Sequence, residues 1–192
     1  ITGVDQLGGA THRLASDHIE VGSYLALAAA TGGQITIHDT SRAHYWMINR
    51  IFERFNLNLE FTRTSVTLPG GQSPRIQKDV GGHIPRIDDG PWPQFPSDLL
   101  SIMVVLATQA EGTVLMFEKM YESRMYFVDN LISMGASIVV CDPHRVVVSG
   151  RTRLRAMTMR SPDIRAGMAL LMAALCAEGT STVQNAQIID RG

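Results

Sequence analysis

Two stretches of this chain are apolar almost all the way round a helix. Leu99–Ala110 reads LLSIMVVLATQA and Ile164–Ala177 reads IRAGMALLMAALCA. A helix without a polar face has to be buried on all sides. The neighbouring strands pattern the other way. Gln34, Thr36 and His38 interleave with Ile35 and Ile37, as in a sheet with one wet face. A layered α/β protein buries its sheet and leaves its helices half wet. This sequence asks for the reverse, with helices inside and sheets outside. Neither run is long enough to cross a bilayer, and Asp163 and Arg165 stand at the head of the second.

The same unit recurs. AATGGQITIHDT, TQAEGTVLMFEK and LCAEGTSTVQNA each read as a helix end, a glycine and a strand. Gly33, Gly112 and Gly179 are expected just past the helix, where a left-handed backbone favours glycine. Asp17, Asp98 and Asp163 precede the three helices, and Arg124 and Arg191 each follow their glycine by twelve residues. The first unit is expected to continue through a helix over 43–55 and strands LNLEF and SVTL. The second continues through a helix over 124–134 and strands SIVV and RVVVS. Residues 79–95 carry no clear period, and long irregular segments in compact domains are often functional.

The formal net charge of −1 over 192 residues gives no electrostatic case for nucleic acid or an anionic membrane surface. Cys141 and Cys176 form no disulfide framework or metal motif, and the six histidines lack metal-type spacing. A reducing cytoplasm fits this usage. No nucleophile elbow, P-loop or cofactor motif appears. The first residue is Ile1 and the chain stops at IIDRG, so a continuation in both directions is expected.

Candidate chemistry gathers at the helix starts. Ser97-Asp98 and Ser161-Pro162-Asp163 read as helix N-termini with a capping hydroxyl and an acid in the first turn. The acids serve either as helix stabilisers or as part of a site in which several N-termini face one opening and favour phosphate or carboxylate. Arg124, Arg165 and Arg191 suit the second reading, because guanidinium groups clamp such anions through paired hydrogen bonds. Residues 91–100, PWPQFPSDLL, brace Asp98 with three prolines in six positions. These features point to an anionic substrate without naming a reaction.

The stretches SDHIEVGSYLALAAATGG, PWPQFPSDL, FEKMYESRMYFVDNLISMGA, SPDIRAGMALLMAALCAEGT and IIDRG resemble the UDP-N-acetylglucosamine enolpyruvyl transferases, which commit sugar nucleotide to peptidoglycan synthesis. They follow the family's order over nearly the whole chain. The resemblance implies an inside-out α/β barrel domain of repeated units, with residues 1–192 forming one domain of a two-domain cytoplasmic enzyme. It implies phosphoenolpyruvate and UDP-N-acetylglucosamine as substrates, the second domain of the same chain as partner, and no cofactor or metal. By the same likeness Asp98 contacts the sugar hydroxyl as general base, and Met120 makes a backbone contact to the sugar nucleotide. Arg124, Asp163 and Arg165 belong to the site, and Arg191 grips phosphoenolpyruvate. Neither cysteine matches the family's catalytic loop. His18 stands where many members have arginine, and Ser97 replaces a frequent threonine. Transfer to shikimate phosphate, and a non-catalytic relative that binds a sugar nucleotide, remain alternatives.

Overall fold

A computed structural model describes residues 2–191, apart from the side chains of His44 and Arg191. The first unit comprises α1 (His18–Thr31), β1 (Ile35–His38), α2 (Trp46–Arg54), β2 (Glu60–Phe61) and β3 (Ser65–Leu68). The second comprises β4 (Arg86–Asp88), α3 (Ser97–Gln109), β5 (Gly112–Phe117), α4 (Val128–Ser133), β6 (Ser137–Asp142) and β7 (Arg145–Gly150). The third comprises β8 (Thr158–Arg160), α5 (Ile164–Cys176) and β9 (Thr182–Gln184), followed by a 3₁₀ turn over Ala186–Arg191.

Each unit has its own sheet. The strand orders are β1-β3-β2, β4-β5-β7-β6 and β8-β9. β4 runs parallel to β5 and β8 parallel to β9, so α3 and α5 are crossover helices between parallel strands. The other pairings are antiparallel. Helices α1, α3 and α5 pack on one another, and α3 lies between the other two and the second sheet. Eleven of its residues, Leu99 to Gln109, are buried. Its one deeply buried hydroxyl, on Thr108, is satisfied by donating to the Val105 carbonyl. The tail of β7 passes so close to the end of α3 that a Cβ on Gly150 would stand 2.3 Å from the Ala110 carbonyl oxygen. The helices-inside reading therefore holds, and α3 carries it.

Several expectations need correction. Helix α5 is buried on one side only: Leu171 and Leu175 are 37% and 58% exposed, because α5 flanks the helix group whereas α3 is central. The left-handed residue closing α1 is Gly32 (φ 72°), not Gly33, and its N–H reaches the Ala28 and Ala29 carbonyls. Helices α3 and α5 end earlier, at Ala110 and Ala177 in extended conformation. Gly112 and Gly179 lie beyond that point, with φ of 114° and 99°, and turn the chain into the next strand. The helix expected from Arg124 begins only at Val128: Ser123 takes a left-handed φ of 67°, and residues 124–127 form turns. LNLEF contributes only Glu60–Phe61 to a strand. The irregular 79–95 segment contains β4, a strand too short to show alternation.

Candidate active site

The N-termini of α1, α3 and α5 converge, but their aspartates do different things. Asp17 caps α1 by accepting from the Ile19 amide at 2.8 Å. Asp163 caps α5 by accepting from the Arg165 and Ala166 amides, both at 2.8 Å. The expected cap hydroxyl of Ser161 instead donates to the Asp163 carbonyl. In α3 the cap position falls to Pro96, which offers no side-chain acceptor. Ser97 is already helical, and its hydroxyl turns to Glu118 at 2.9 Å. Asp98 points away from its own helix. Its Oδ1 accepts from Arg124 Nη1 at 2.7 Å and its Oδ2 from Arg165 Nη2 at 3.0 Å.

The proline segment makes this placement firm. Gly90 donates to the Phe95 carbonyl at 3.1 Å and Gln94 to the Pro91 carbonyl at 3.0 Å, closing a compact turn. Phe95 is buried to 2% exposure and anchors the turn in the core immediately before α3.

Asp98 stands where two clefts meet. One, of about 430 Å³, is lined by His18, Trp92, Gln94, Ser97, Met120 and Tyr121 among others. His18 and Trp92 meet edge to face with ring centroids 5.8 Å apart. The other, of about 720 Å³, is lined by Glu122, Arg124, Asp163, Arg165 and Ile188 among others. Asp98 and Tyr121 line both. The Arg124 guanidinium lies over the Tyr121 ring at 4.3 Å, a cation–π contact that fixes the partition between the clefts. The first cleft suits a ligand with flat and sugar-like parts. The second, with two guanidinium groups, suits a small anion.

Of the residues singled out from sequence, Asp98, Arg124, Asp163 and Arg165 are thus brought together. Met120 lies in the wall of the first cleft, with its amide donating to Glu118 Oε1 at 3.0 Å. The Arg191 side chain lies outside the described residues.

Sequence reasoning missed a second layer. Asp89 and Glu118 are 0% and 1% exposed. Glu118 Oε1 accepts from the Met120 and Tyr121 amides, and both its oxygens accept from the Ser97 hydroxyl. Ser97 in turn accepts from Arg124 Nη1 at 3.2 Å. Burial, reinforced by the adjoining Asp89 carboxyl, pushes Glu118 up to about 7 against the lowering effect of its Ser97 and Met120 donors. The available signal was two acids, each beside another charged residue, at the ends of strands on either side of the proline turn.

Enclosed helices, three repeated units and a cleft at the helix starts define the enolpyruvyl transferase fold. The backbone matches the enolpyruvyl transferase NikO from Streptomyces tendae with a TM-score of 0.77 at 24% identity, over 93% of this chain and 41% of that one. It matches EPSP synthase from Acinetobacter baumannii with a TM-score of 0.68 at 15% identity, over 92% and 42%. The chain belongs to the EPSP synthase (3-phosphoshikimate 1-carboxyvinyltransferase) family, whose sequence profile matches residues 1–192. It is 53% identical to a UDP-N-acetylglucosamine 1-carboxyvinyltransferase of Borreliella burgdorferi and 54% identical to one of Bradyrhizobium diazoefficiens, in each case along its whole length. It covers 45% and 44% of those two proteins, so the chain spans about half the length of the curated relatives it matches. Among the described residues, no helix is long and apolar enough to cross a membrane.

Proposed function

We propose that the full-length protein transfers the enolpyruvyl group of phosphoenolpyruvate to the 3-hydroxyl of UDP-N-acetylglucosamine, the reaction that commits the sugar nucleotide to peptidoglycan. The observation that carries this reading is identity above 50% to enzymes named for that reaction, unbroken along all 192 residues. Residues 1–192 act as one domain and the rest of the protein as the second, with the site closing between them in the cytoplasm.

In this reading the first cleft takes the sugar nucleotide and the second takes phosphoenolpyruvate. Asp98, at their junction, faces the sugar 3-hydroxyl and receives its proton as the oxygen forms a bond to the central carbon of phosphoenolpyruvate. As the double bond opens, an acid of the second domain protonates the methylene carbon. Elimination then returns a proton from the same carbon to the conjugate base of that acid, breaks the carbon–oxygen bond to the leaving phosphate and restores the double bond. Arg124, Arg165 and Arg191 hold the carboxylate and phosphate, and their charge-assisted hydrogen bonds strengthen as the leaving phosphate gains charge. Asp163 caps α5 and so fixes Arg165 beside that anion, and Met120 meets the nucleotide through its backbone. Domain closure would align the hydroxyl with Asp98 and expel water.

The family profile is described by shikimate phosphate chemistry, which gives the second reading. Phosphate release by the full-length protein, assayed with phosphoenolpyruvate and either UDP-N-acetylglucosamine or 3-phosphoshikimate, separates the two. Turnover with the sugar nucleotide alone is expected. Turnover only with 3-phosphoshikimate, or with neither, would overturn the proposal.

A further inference from the structure

We propose that Asp89 and Glu118 share one proton, and that this shared proton positions the Lys119–Tyr121 wall and the Ser97–Asp98 helix start of the site. Their relevance to catalysis rests on the reading of the first cleft as the sugar-nucleotide site. The two carboxyls are almost wholly buried and bind consecutive amides of one turn, Asp89 that of Lys119 and Glu118 those of Met120 and Tyr121, which sets them side by side. Asp89 Oδ2 finds no donor among the described residues. Two buried carboxylates in contact cannot both be ionised cheaply without a counter-ion.

No counter-ion is at hand among the described residues, because the surrounding cations are committed elsewhere. Lys119 Nζ is 2.8 Å from Asp88 Oδ2, and Arg86 reaches the same oxygen at 3.5 Å. Arg124 bonds to Ser97 and Asp98, and Arg165 to Asp98. From the β6–β7 turn, His144 meets the Glu118 carbonyl through Nδ1 at 2.9 Å, and Arg145 pairs with Asp142. The proton's place follows from the donors already present. Glu118 Oε1 takes three donors, the Met120 and Tyr121 amides and the Ser97 hydroxyl. Oε2 takes only the Ser97 hydroxyl. Oε2 is therefore the atom free to carry a hydrogen toward Asp89.

The consequence lies in what the pair fastens. Asp89 Oδ1 accepts from the Lys119 amide at 2.6 Å, and Glu118 accepts from the next two amides. Three consecutive backbone N–H groups are thus held by two acids that stay together only while one proton lies between them. The same pair holds Ser97, the residue before Asp98. Burial and the Asp89 contact raise the Glu118 proton affinity into the neutral range. Removing the proton sets two buried negative charges against each other and releases the segment that forms the partition between the clefts.

The test uses the full-length protein without substrate. Hydrogen–deuterium exchange of the peptide spanning 118–124 is followed at pH about 6 and about 8.5, with protection corrected for intrinsic exchange. Protection is expected to be about tenfold lower at the higher pH in the wild type, as in local opening. It should be independent of pH in Glu118→Gln, whose amide keeps the acceptor and donates to Asp89. Asp89→Asn, which supplies a permanent donor to Glu118, should flatten the dependence equally and serves if the first variant fails to fold. An infrared band of a protonated carboxylic acid should be present in the wild type at the lower pH and absent from Glu118→Gln. Wild-type protection that does not change with pH, or the absence of the acid band, would overturn the shared proton. Binding of UDP-N-acetylglucosamine, measured at the same two pH values, tests the reading of the cleft separately. If exchange shifts with pH but the nucleotide never binds, the pair stands and the acceptor assignment falls.

Discussion

Replacing Asp98 by asparagine separates a catalytic carboxylate from an ion-pair anchor, because the two roles differ greatly in magnitude. The amide has the same shape. Its oxygen can keep one guanidinium contact, but its NH₂ faces the other. One of the two bonds to Arg124 and Arg165 is therefore lost. A hydrogen bond to a charged group contributes about 1.5–3 kcal/mol when well buried. Here the side chains of Asp98, Arg124 and Arg165 remain 33%, 25% and 33% exposed, so solvent screening leaves about 1 kcal/mol. That is a fall of a few degrees in Tm, and the protein stays folded. Loss of a general base instead lowers turnover by about two to four orders of magnitude. In the full-length protein, steady-state phosphate release should drop by that factor. KM for UDP-N-acetylglucosamine should change by less than about tenfold, since the amide still reaches the sugar hydroxyl. Near-normal turnover with the small fall in Tm would refute the reasoning and reduce Asp98 to an anchor for two arginines.

Arg191→Ala should raise KM for phosphoenolpyruvate, and lower kcat as well if its contact tightens in the transition state; unchanged kinetics in that substrate would remove Arg191 from the site. Leu106→Ala, at a fully buried position of α3, should cost about 2–5 kcal/mol in urea denaturation; a loss below about 1 kcal/mol would contradict a close-packed central helix. Asp163→Ala should cost about 0.5–2 kcal/mol through the lost cap, and Asp163→Ser should restore it. Turnover that stays low in Asp163→Ser would show that the carboxylate does more than cap. The folded protein retains the Glu118 proton up to about 7, whereas the unfolded chain releases it near 4.5. Its contribution to stability is thus full below about 4.5 and is lost as pH rises through about 7. Glu118→Gln should remove that part of the slope of unfolding free energy against pH.

The sequence made some of this legible because two kinds of pattern survive without partners. All-round apolarity placed α3 inside and alternation located β1, while the segments SVTL, SIVV and RVVVS lie within two residues of the bounds of β3, β6 and β7. The strands it hid are β4 and β8, with three residues each. Neither is long enough to alternate, and each pairs in parallel with a strand on the far side of a helix. The span read as a helix from Arg124 shows the opposite error. Met125, Phe127, Leu131 and Met134 are all buried as an amphipathic helix would have them. Yet the left-handed turn at Ser123 and the turns after it hold residues 121–127 outside the helix. That departure places the Arg124 guanidinium on Asp98 and Ser97. The Asp89–Glu118 pair was illegible for another reason. Asp88 and Lys119 beside it form an ordinary ion pair, and composition alone cannot tell which member of each charged doublet turns inward.

The three helix starts also explain why the repeat pointed toward the site without identifying it. Each presents an aspartate within two residues of the cap of an apolar helix, and a carboxylate at the cap itself ordinarily contributes ~1 kcal/mol. Asp17 and Asp163 do so. The α3 copy gives that contribution up. Proline occupies its cap, its serine bonds to a buried acid, and its aspartate faces two arginines at the meeting of two clefts. A unit selected only for stability would keep the cap in all three copies, since a single residue change supplies it. The copy that forgoes it spends the residue on something outside the helix, and the turn over Gly90–Phe95 holds it there. The functional signal is therefore the difference between copies rather than their likeness. It becomes visible only when the hydrogen bonds of the three aspartates are compared side by side.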